Sequence, residues 1–238
     1  MLRSLKHSYG EKLGALDGEI GQVKDFYFDD RDWTVRYVVA ETGTWLTSRQ
    51  VLLSPRAIGS LFQDGRAMMV NLKRKQIEDS PAIESHKPVS RQYEEEYHRY
   101  YGWPGYWEGD GLWGGIHGFP ILQTPEKLSP EKSEAKVAGK GEKADAHLRS
   151  TLAVKGYNLE ATDGVIGHVC DFMVDENNWA IGELVIKIGH RFTGSEVLVP
   201  VNCVERISYE ESKVFVNLTK AAVEESPPQQ KAFDGALT

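Results

Sequence analysis

Apolar positions in this chain recur in short alternating runs, and turn-forming residues separate the runs. A short run through Leu13 and Ala15 comes first. Ile20 to Phe28, Trp33 to Glu41 and Ala67 to Leu72 then read as strands, with shorter strands from Thr47 to Leu53 and near Ile58 to Phe62. Asp29-Asp30-Arg31-Asp32 and Gln63-Asp64-Gly65-Arg66 are polar turns between them. From Lys73 to Asp79 the spacing becomes helical, and Pro81 stops it. Many short strands separated by turns predict a mainly β fold of the sandwich or barrel kind.

The same pattern returns. A shift of 146 positions aligns residues 2–81 with 148–227 without a gap, and roughly 26 of the 80 positions are identical. Val165–Val174, Trp179–Ile188, Val197–Val204 and Lys213–Leu218 repeat the strands, and Thr219 is placed to cap the last helix. Both copies open with Leu-Arg-Ser and close with Val-Asn-Leu, a short helix and Ser-Pro. The organisation is therefore two small β domains at 1–81 and 147–227, each ending in a short helix. A domain of about 80 residues is only marginally stable alone, so the copies are expected to pack together as a pseudo-dimer.

Each copy is organised around D-G-x-I-G-x-V-x-D-F, at Asp17–Phe26 and Asp163–Phe172. Asp17-Gly18 and Asp163-Gly164 are turn signals. Gly21 and Gly167, inside a strand, predict a bulge or a close backbone approach. Val23 has the wrong parity to share a face with Phe26 and Phe28, so either a bulge switches the face or the strand is buried on both sides. A tryptophan follows in each copy, Trp33 and Trp179. Asp17 and Asp25 read as a turn residue and a residue bonding nearby amides, because a metal or acid–base site needs further converging ligands that the sequence lacks. The same holds for Asp163 and Asp171.

Residues 82–123 differ in character. Ser90 to Tyr101 reads as a helix with Tyr93, Tyr97, Tyr100 and Tyr101 on one face, and glycine, proline, Trp103, Trp107 and Trp113 follow. Two readings compete. Tyr97, Tyr100, Trp103, Trp107 and Trp113 form a candidate partner-binding surface, or they fold back to cover a β domain. The second is favoured, since aromatics at this density invite aggregation when exposed. Residues 124–146 are charged and rich in proline, glycine and alanine, which predicts a disordered linker. The tail at 228–238 reads the same way.

Composition narrows the classes. A formal net charge of -7 disfavours a phosphate-backbone binder, so no nucleic-acid partner is expected. No run of 18 apolar residues occurs and the first residues do not read as a signal peptide, so a cytoplasmic protein is expected. Cys170 and Cys203 lack metal or redox spacing and read as reduced thiols. The seven histidines are dispersed, and His168 and His190 align with Gln22 and Thr44 in the first copy, so a function common to both copies does not use them. No hydrolase, nucleotide or metalloprotease signature is present. No catalytic residue, cofactor or metal is expected.

The turn with G-x-I-G-x-V-x-D-F, the tryptophan turn, the following apolar strand and the closing N-L element resemble the PRC-barrel family. The likeness covers residues 2–81 and 148–227. That family takes its name from the photosynthetic reaction centre H subunit, whose cytoplasmic domain is a small β-barrel, and its barrel also forms a domain of a bacterial ribosome-maturation factor. The resemblance implies two tandem barrels acting as a non-enzymatic interaction or scaffold module with a protein partner. It also implies an alternative, a peripheral regulator of photosynthetic or respiratory electron transport associated with a membrane complex.

Overall fold

A computed structural model describes residues 1–43, 46, 49–58, 67–81, 83, 89, 91–107, 148–189 and 194–228. The expected linker at 124–146, the turn at 63–66 and nearly all of the tail lie outside the described residues. The first repeat holds β1 (Leu2–Ser4), β2 (Lys12–Ala15), β3 (Gly18–Asp29), β4 (Thr34–Thr42), β5 (Gln50–Leu53), β6 (Met68–Met69) and α1 (Arg74–Glu78), and α2 (Arg91–Tyr101) follows. The second holds β7 (Leu148–Ser150), α3 (Thr151–Val154), β8 (Asn158–Ala161), β9 (Gly164–Asp175), β10 (Ile181–Ile188), β11 (Ser195–Pro200), β12 (Val204–Ser208), β13 (Lys213–Val216) and α4 (Lys220–Glu224). The fold is mainly β, with two sheets. One runs β5-β4-β3-β2-β6 with β7 on β3, the other β11-β10-β9-β8-β13-β12 with β1 on β9.

Each sheet takes the strand that opens the other repeat. β7 pairs antiparallel with β3, Tyr27 opposite Ser150 and Asp29 opposite Leu148. β1 pairs with β9. The compact units therefore depart from the expected boundaries at 1–81 and 147–227. Unit 1 comprises Met1, His7–Thr151 and Asp175–Ala180, and unit 2 comprises Leu2–Lys6, Leu152–Val174 and Ile181–Thr238. The motif aspartates explain the attachment. Asp25 accepts hydrogen bonds from Ser150 Oγ at 2.5 Å and Thr151 Oγ1 at 2.9 Å. Asp171 accepts from Ser4 Oγ and, at 3.0 Å, from the Lys6 amide. These carboxylates hold the incoming strands.

The bent strand forms as the parity of its apolar residues requires. Val23 pairs with Ala40 and Asp25 with Val39, so Lys24 is bulged, and Val23 and Phe26 come to one face. In β9 the register skips Cys170 in the same way. The glycines are sites of close approach. A Cβ on Gly21, which has φ +150, would stand 2.1 Å from the Glu41 carbonyl oxygen, and one on Gly167 would stand 2.4 Å from that of Lys187. The turn before β3 is centred on Leu16-Asp17 rather than Asp17-Gly18, because Gly18 already pairs with Ala15. Asp17 and Asp163 instead reach the helices that close the repeats, accepting from the Arg74 amide at 2.7 Å and the Lys220 amide at 2.8 Å.

Trp33 and Trp179 are not strand residues. Both take positive φ, 50° and 64°, and end the turns that precede β4 and β10. The expected strand Val197–Val204 is broken after Pro200 by a 3₁₀ turn at Val201–Cys203. Lys213–Leu218 shortens to β13, and Thr219 Oγ1 accepts from the Ala222 amide at 3.2 Å as a helix cap.

Candidate functional site

The helix α2 and the residues after it belong to unit 1. The α2 tyrosines reach the rest of that unit with hydroxyl hydrogen bonds. Tyr93 donates to the Pro81 carbonyl at 2.8 Å and Tyr100 to that of Gln76 at 2.9 Å. Tyr97 donates to the Leu52 carbonyl at 3.2 Å and accepts from the Ser54 amide at 3.0 Å. A buried tyrosine needs such a partner for its hydroxyl. Gly102, with φ +68, ends the helix. Its amide donates to Arg99 O and that of Trp103 to His98 O, the two bonds of a Schellman cap. The chain then turns back along the helix through Trp107.

Of the two readings of these aromatics, the contacts fold Tyr97 and Trp103 back onto unit 1. Tyr97 is completely buried and Trp103 is 4% exposed, so neither is available to a partner. Their rings pack with Tyr101, whose ring stacks on that of Trp103 at 4.6 Å. Tyr100 is 37% exposed and Trp107 half-buried. Trp113 lies outside the described residues.

Beneath α2 sits a polar network within the core. Glu94 Oε1 accepts from the Tyr37 hydroxyl at 2.9 Å and the Tyr106 hydroxyl at 2.8 Å. The Tyr37 hydroxyl also lies 3.1 Å from His98 Nε2, and His98 Nδ1 lies 3.0 Å from the Pro104 carbonyl oxygen. A carbonyl only accepts, so Nδ1 carries the proton and Nε2 the lone pair. The single Tyr37 proton thus faces two acceptors, a carboxylate and an imidazole. Burial pushes the His98 pKa down to about 4, assisted by the charges of Arg56, Arg91 and Arg36 and opposed by the bond to Pro104. His98 is therefore neutral at neutral pH. Burial, then the Glu94 charge, raises the Tyr37 pKa well above its usual value, which keeps the phenol protonated. Arg36 closes the network, pairing with Asp32 at 2.7 Å while its guanidinium lies 4.0 Å from the Tyr106 ring centre.

A cleft of about 300 Å³ opens beside this network, lined by Glu95, His98, Arg99, Trp103, Gly105 and Trp107. Glu95 and Arg99 are exposed on its rim, one helical turn apart. Trp107 forms a wall. The Arg91 guanidinium lies 4.2 Å from its ring centre, and a Cβ on Gly105 would stand 2.4 Å from the ring. The arrangement offers a cation, an anion and a flat apolar wall, which suits recognition of a small polar group.

His98, Glu94 and Tyr37 were not singled out from the sequence. The available signal was divergence between the repeats. Arg36, Tyr37 and Arg56 align with Gly182, Glu183 and Asn202, which marks that face of the first copy as specialised. The motif residues take structural roles, Asp17 and Asp163 at helix starts, Asp25 and Asp171 at the exchanged strands, and Phe26 and Phe172 in the cores. Cys170 and Cys203 are free thiols. Burial pushes the Cys170 thiol up to about 12, and it donates to the Val185 carbonyl at 3.3 Å. Among the described residues no three His, Cys, Asp or Glu side chains gather as a metal site, and no helix is long and apolar enough to cross a membrane.

A family model described as the PRC-barrel domain matches residues 156–223, which span β8 to β13 and most of α4. No curated protein matches the chain. The cleft lies outside the matched residues.

Proposed function

We propose that this protein is a non-enzymatic interaction module of two tandem PRC-type barrels, acting in the cytoplasm, with the cleft on unit 1 as its recognition site. The observation that carries the reading is the cleft. An otherwise structural β unit has gained a helix and an aromatic return segment that fill its outer face and leave a polar notch. The match of residues 156–223 to the PRC-barrel domain and the alignment of the first repeat with the second support the architecture. The test is affinity capture with the intact chain beside Trp107→Ala. Deleting the whole aromatic segment is unsuitable, because Tyr97 and Tyr101 are core residues of unit 1. A defined partner is expected to be retained by the native chain at a fixed ratio and lost with Trp107→Ala. Failure to retain any partner, or substrate turnover by the purified protein, overturns the reading.

One observation favours a second reading, peripheral regulation of membrane electron transport. The Glu94–Tyr37–His98 run connects a buried carboxylate to an imidazole at the cleft through one hydroxyl, and so supplies a path for a proton. Co-sedimentation with membranes that is lost in Tyr37→Phe supports it, and a wholly unassociated pool counts against it.

A further inference from the structure

We infer that Tyr37 is a redox-active tyrosine, the inner end of a file of tyrosine rings that carries an oxidising equivalent in from the surface of unit 1. The inference goes beyond the interaction reading and does not depend on what the cleft binds.

The file starts at Tyr100, which is 37% exposed. The ring centre of Tyr100 lies 4.8 Å from that of Tyr101, Tyr101 lies 4.9 Å from Tyr97, and Tyr97 lies 5.5 Å from Tyr37. Each step is a ring-to-ring contact, so electrons can shift outward from phenol to phenol without a gap. Tyr97 and Tyr37 are completely buried.

The proton acceptor singles out Tyr37. A phenol that loses an electron becomes a strong acid, and an uncompensated charge in a dry core is costly. A hole therefore settles where the proton can leave with the electron. Tyr97 donates to the Leu52 carbonyl, and Tyr100 and Tyr101 donate to that of Gln76. A backbone carbonyl accepts a hydrogen bond but does not keep a proton at neutral pH. Trp103, stacked on Tyr101 at 4.6 Å, has a buried indole N–H with no acceptor among the described residues. Tyr37 instead donates to Glu94 Oε1 at 2.9 Å, a base within transfer distance. Glu94 is itself completely buried, so bulk water does not compete for the proton. Tyr106 shares this carboxylate at 2.8 Å, but the Arg36 and Arg91 guanidiniums lie 4.0 and 5.4 Å from its ring centre. Cations so placed oppose removal of an electron from that ring. Burial and the Glu94 charge keep Tyr37 protonated beforehand, which couples its electron loss to its proton loss. Glu183 aligns with Tyr37, so unit 2 lacks the equivalent phenol.

A one-electron oxidant at the surface takes one electron from Tyr100 and is reduced by one electron. Electrons shift outward along the file, and Tyr37 ends as the neutral tyrosyl radical. Its O–H bond breaks and the proton bonds to Glu94 Oε1. Return of one electron and that proton restores the phenol.

The test mixes the full chain with tris(bipyridyl)ruthenium(II) and a cobalt(III) pentaammine acceptor, which yield ruthenium(III) in a laser flash. Electron paramagnetic resonance of the frozen product is expected to show a persistent tyrosyl radical. That radical is expected to couple to the Nε2 nitrogen of His98, which lies 3.1 Å from the Tyr37 oxygen, and ¹⁵N-histidine labelling identifies the coupling. Tyr37→Phe, which removes only the hydroxyl, is expected to lose the signal. Tyr97→Phe interrupts the file and Glu94→Gln removes the base, and each is expected to slow radical formation about tenfold. The histidine coupling is read on the native chain, so the outcome does not depend on any variant folding. A tryptophanyl radical, a tyrosyl radical without histidine coupling, or no radical at all overturns the inference. An unchanged signal in folded Tyr37→Phe overturns it too.

Discussion

The two repeats share a frame and differ in what covers it. In unit 1 nearly every residue of β4 is buried, on both faces of the sheet, because α2 and the segment through Trp107 belong to that unit. In unit 2 the aligned strand β10 has Gly182 and Glu183 where β4 has Arg36 and Tyr37, and several of its residues stay partly exposed. The residues common to both copies carry turns, bulges and strand attachment. The residues that differ carry the network and the cleft.

Four measurements can break or sharpen this contrast. The largest effect is expected from Tyr97→Ala. Removing a fully buried aromatic ring costs about 3–5 kcal/mol. Amide exchange should accelerate throughout β4 and β5, with β10 and β11 unchanged. Acceleration in both sheets would mean that the units do not respond separately.

Next comes pH. His98 has a folded-state pKa of about 4, below its ordinary 6.5. Its contribution to stability is therefore complete above pH 6.5 and is lost as pH falls toward 4, since the unfolded chain then binds the proton more readily. Relative to His98→Gln, the native chain should lose about 3 kcal/mol across that window. A difference that stays constant with pH would show that the imidazole is not held neutral. Asp29 and Asp171, raised by burial, act in the opposite direction, which is why the comparison with the variant is needed.

Asp25→Ala and Asp171→Ala test the shared frame. Each removes the acceptor for an exchanged strand and leaves buried donors, at about 1–3 kcal/mol. Asp25→Ala should speed exchange at Leu148–Ser150, and Asp171→Ala at Leu2–Ser4. Loss of protection at the opposite strand would refute the attachment. The smallest effect concerns helix starts. Thr219 caps α4 with its hydroxyl, whereas the aligned Lys73 supplies no such cap to α1. Thr219→Ala should cost about 1 kcal/mol, and Lys73→Thr should stabilise α1 by a similar amount, both read from denaturant midpoints.

Much of the frame was legible because it depends on local chemistry. The parity conflict between Val23 and Phe26 demanded a bulge or two buried faces, and a bulge is present at Lys24 and again at Cys170. Gly21 and Gly167 announced close backbone approach, and both lie against carbonyls. The site was less legible. Glu94 and His98 sit in a charged helix where most such residues are solvated, and their contacts with Tyr37 of β4 and with Pro104 and Tyr106 make them interior. Tyr97 and Trp103 had the composition of an interface, but Tyr97 is bonded to Leu52 and Ser54 and the Schellman turn at Gly102 returns Trp103 onto it.

By itself the sequence determined the duplication, the strand and turn order, and the residues that bend each long strand. These follow from side-chain period and from backbone sterics within a few positions. Only the tertiary structure decided which sheet each Leu-Arg-Ser strand joins. The two strands are identical, both sheets offer an aspartate at the same place, and backbone ladders do not depend on which copy supplies the strand. The tripeptide alone does not choose, and the contacts just beyond it differ: Thr151 Oγ1 bonds Asp25 where Leu148–Ser150 joins β3, and the Lys6 amide bonds Asp171 where Leu2–Ser4 joins β9.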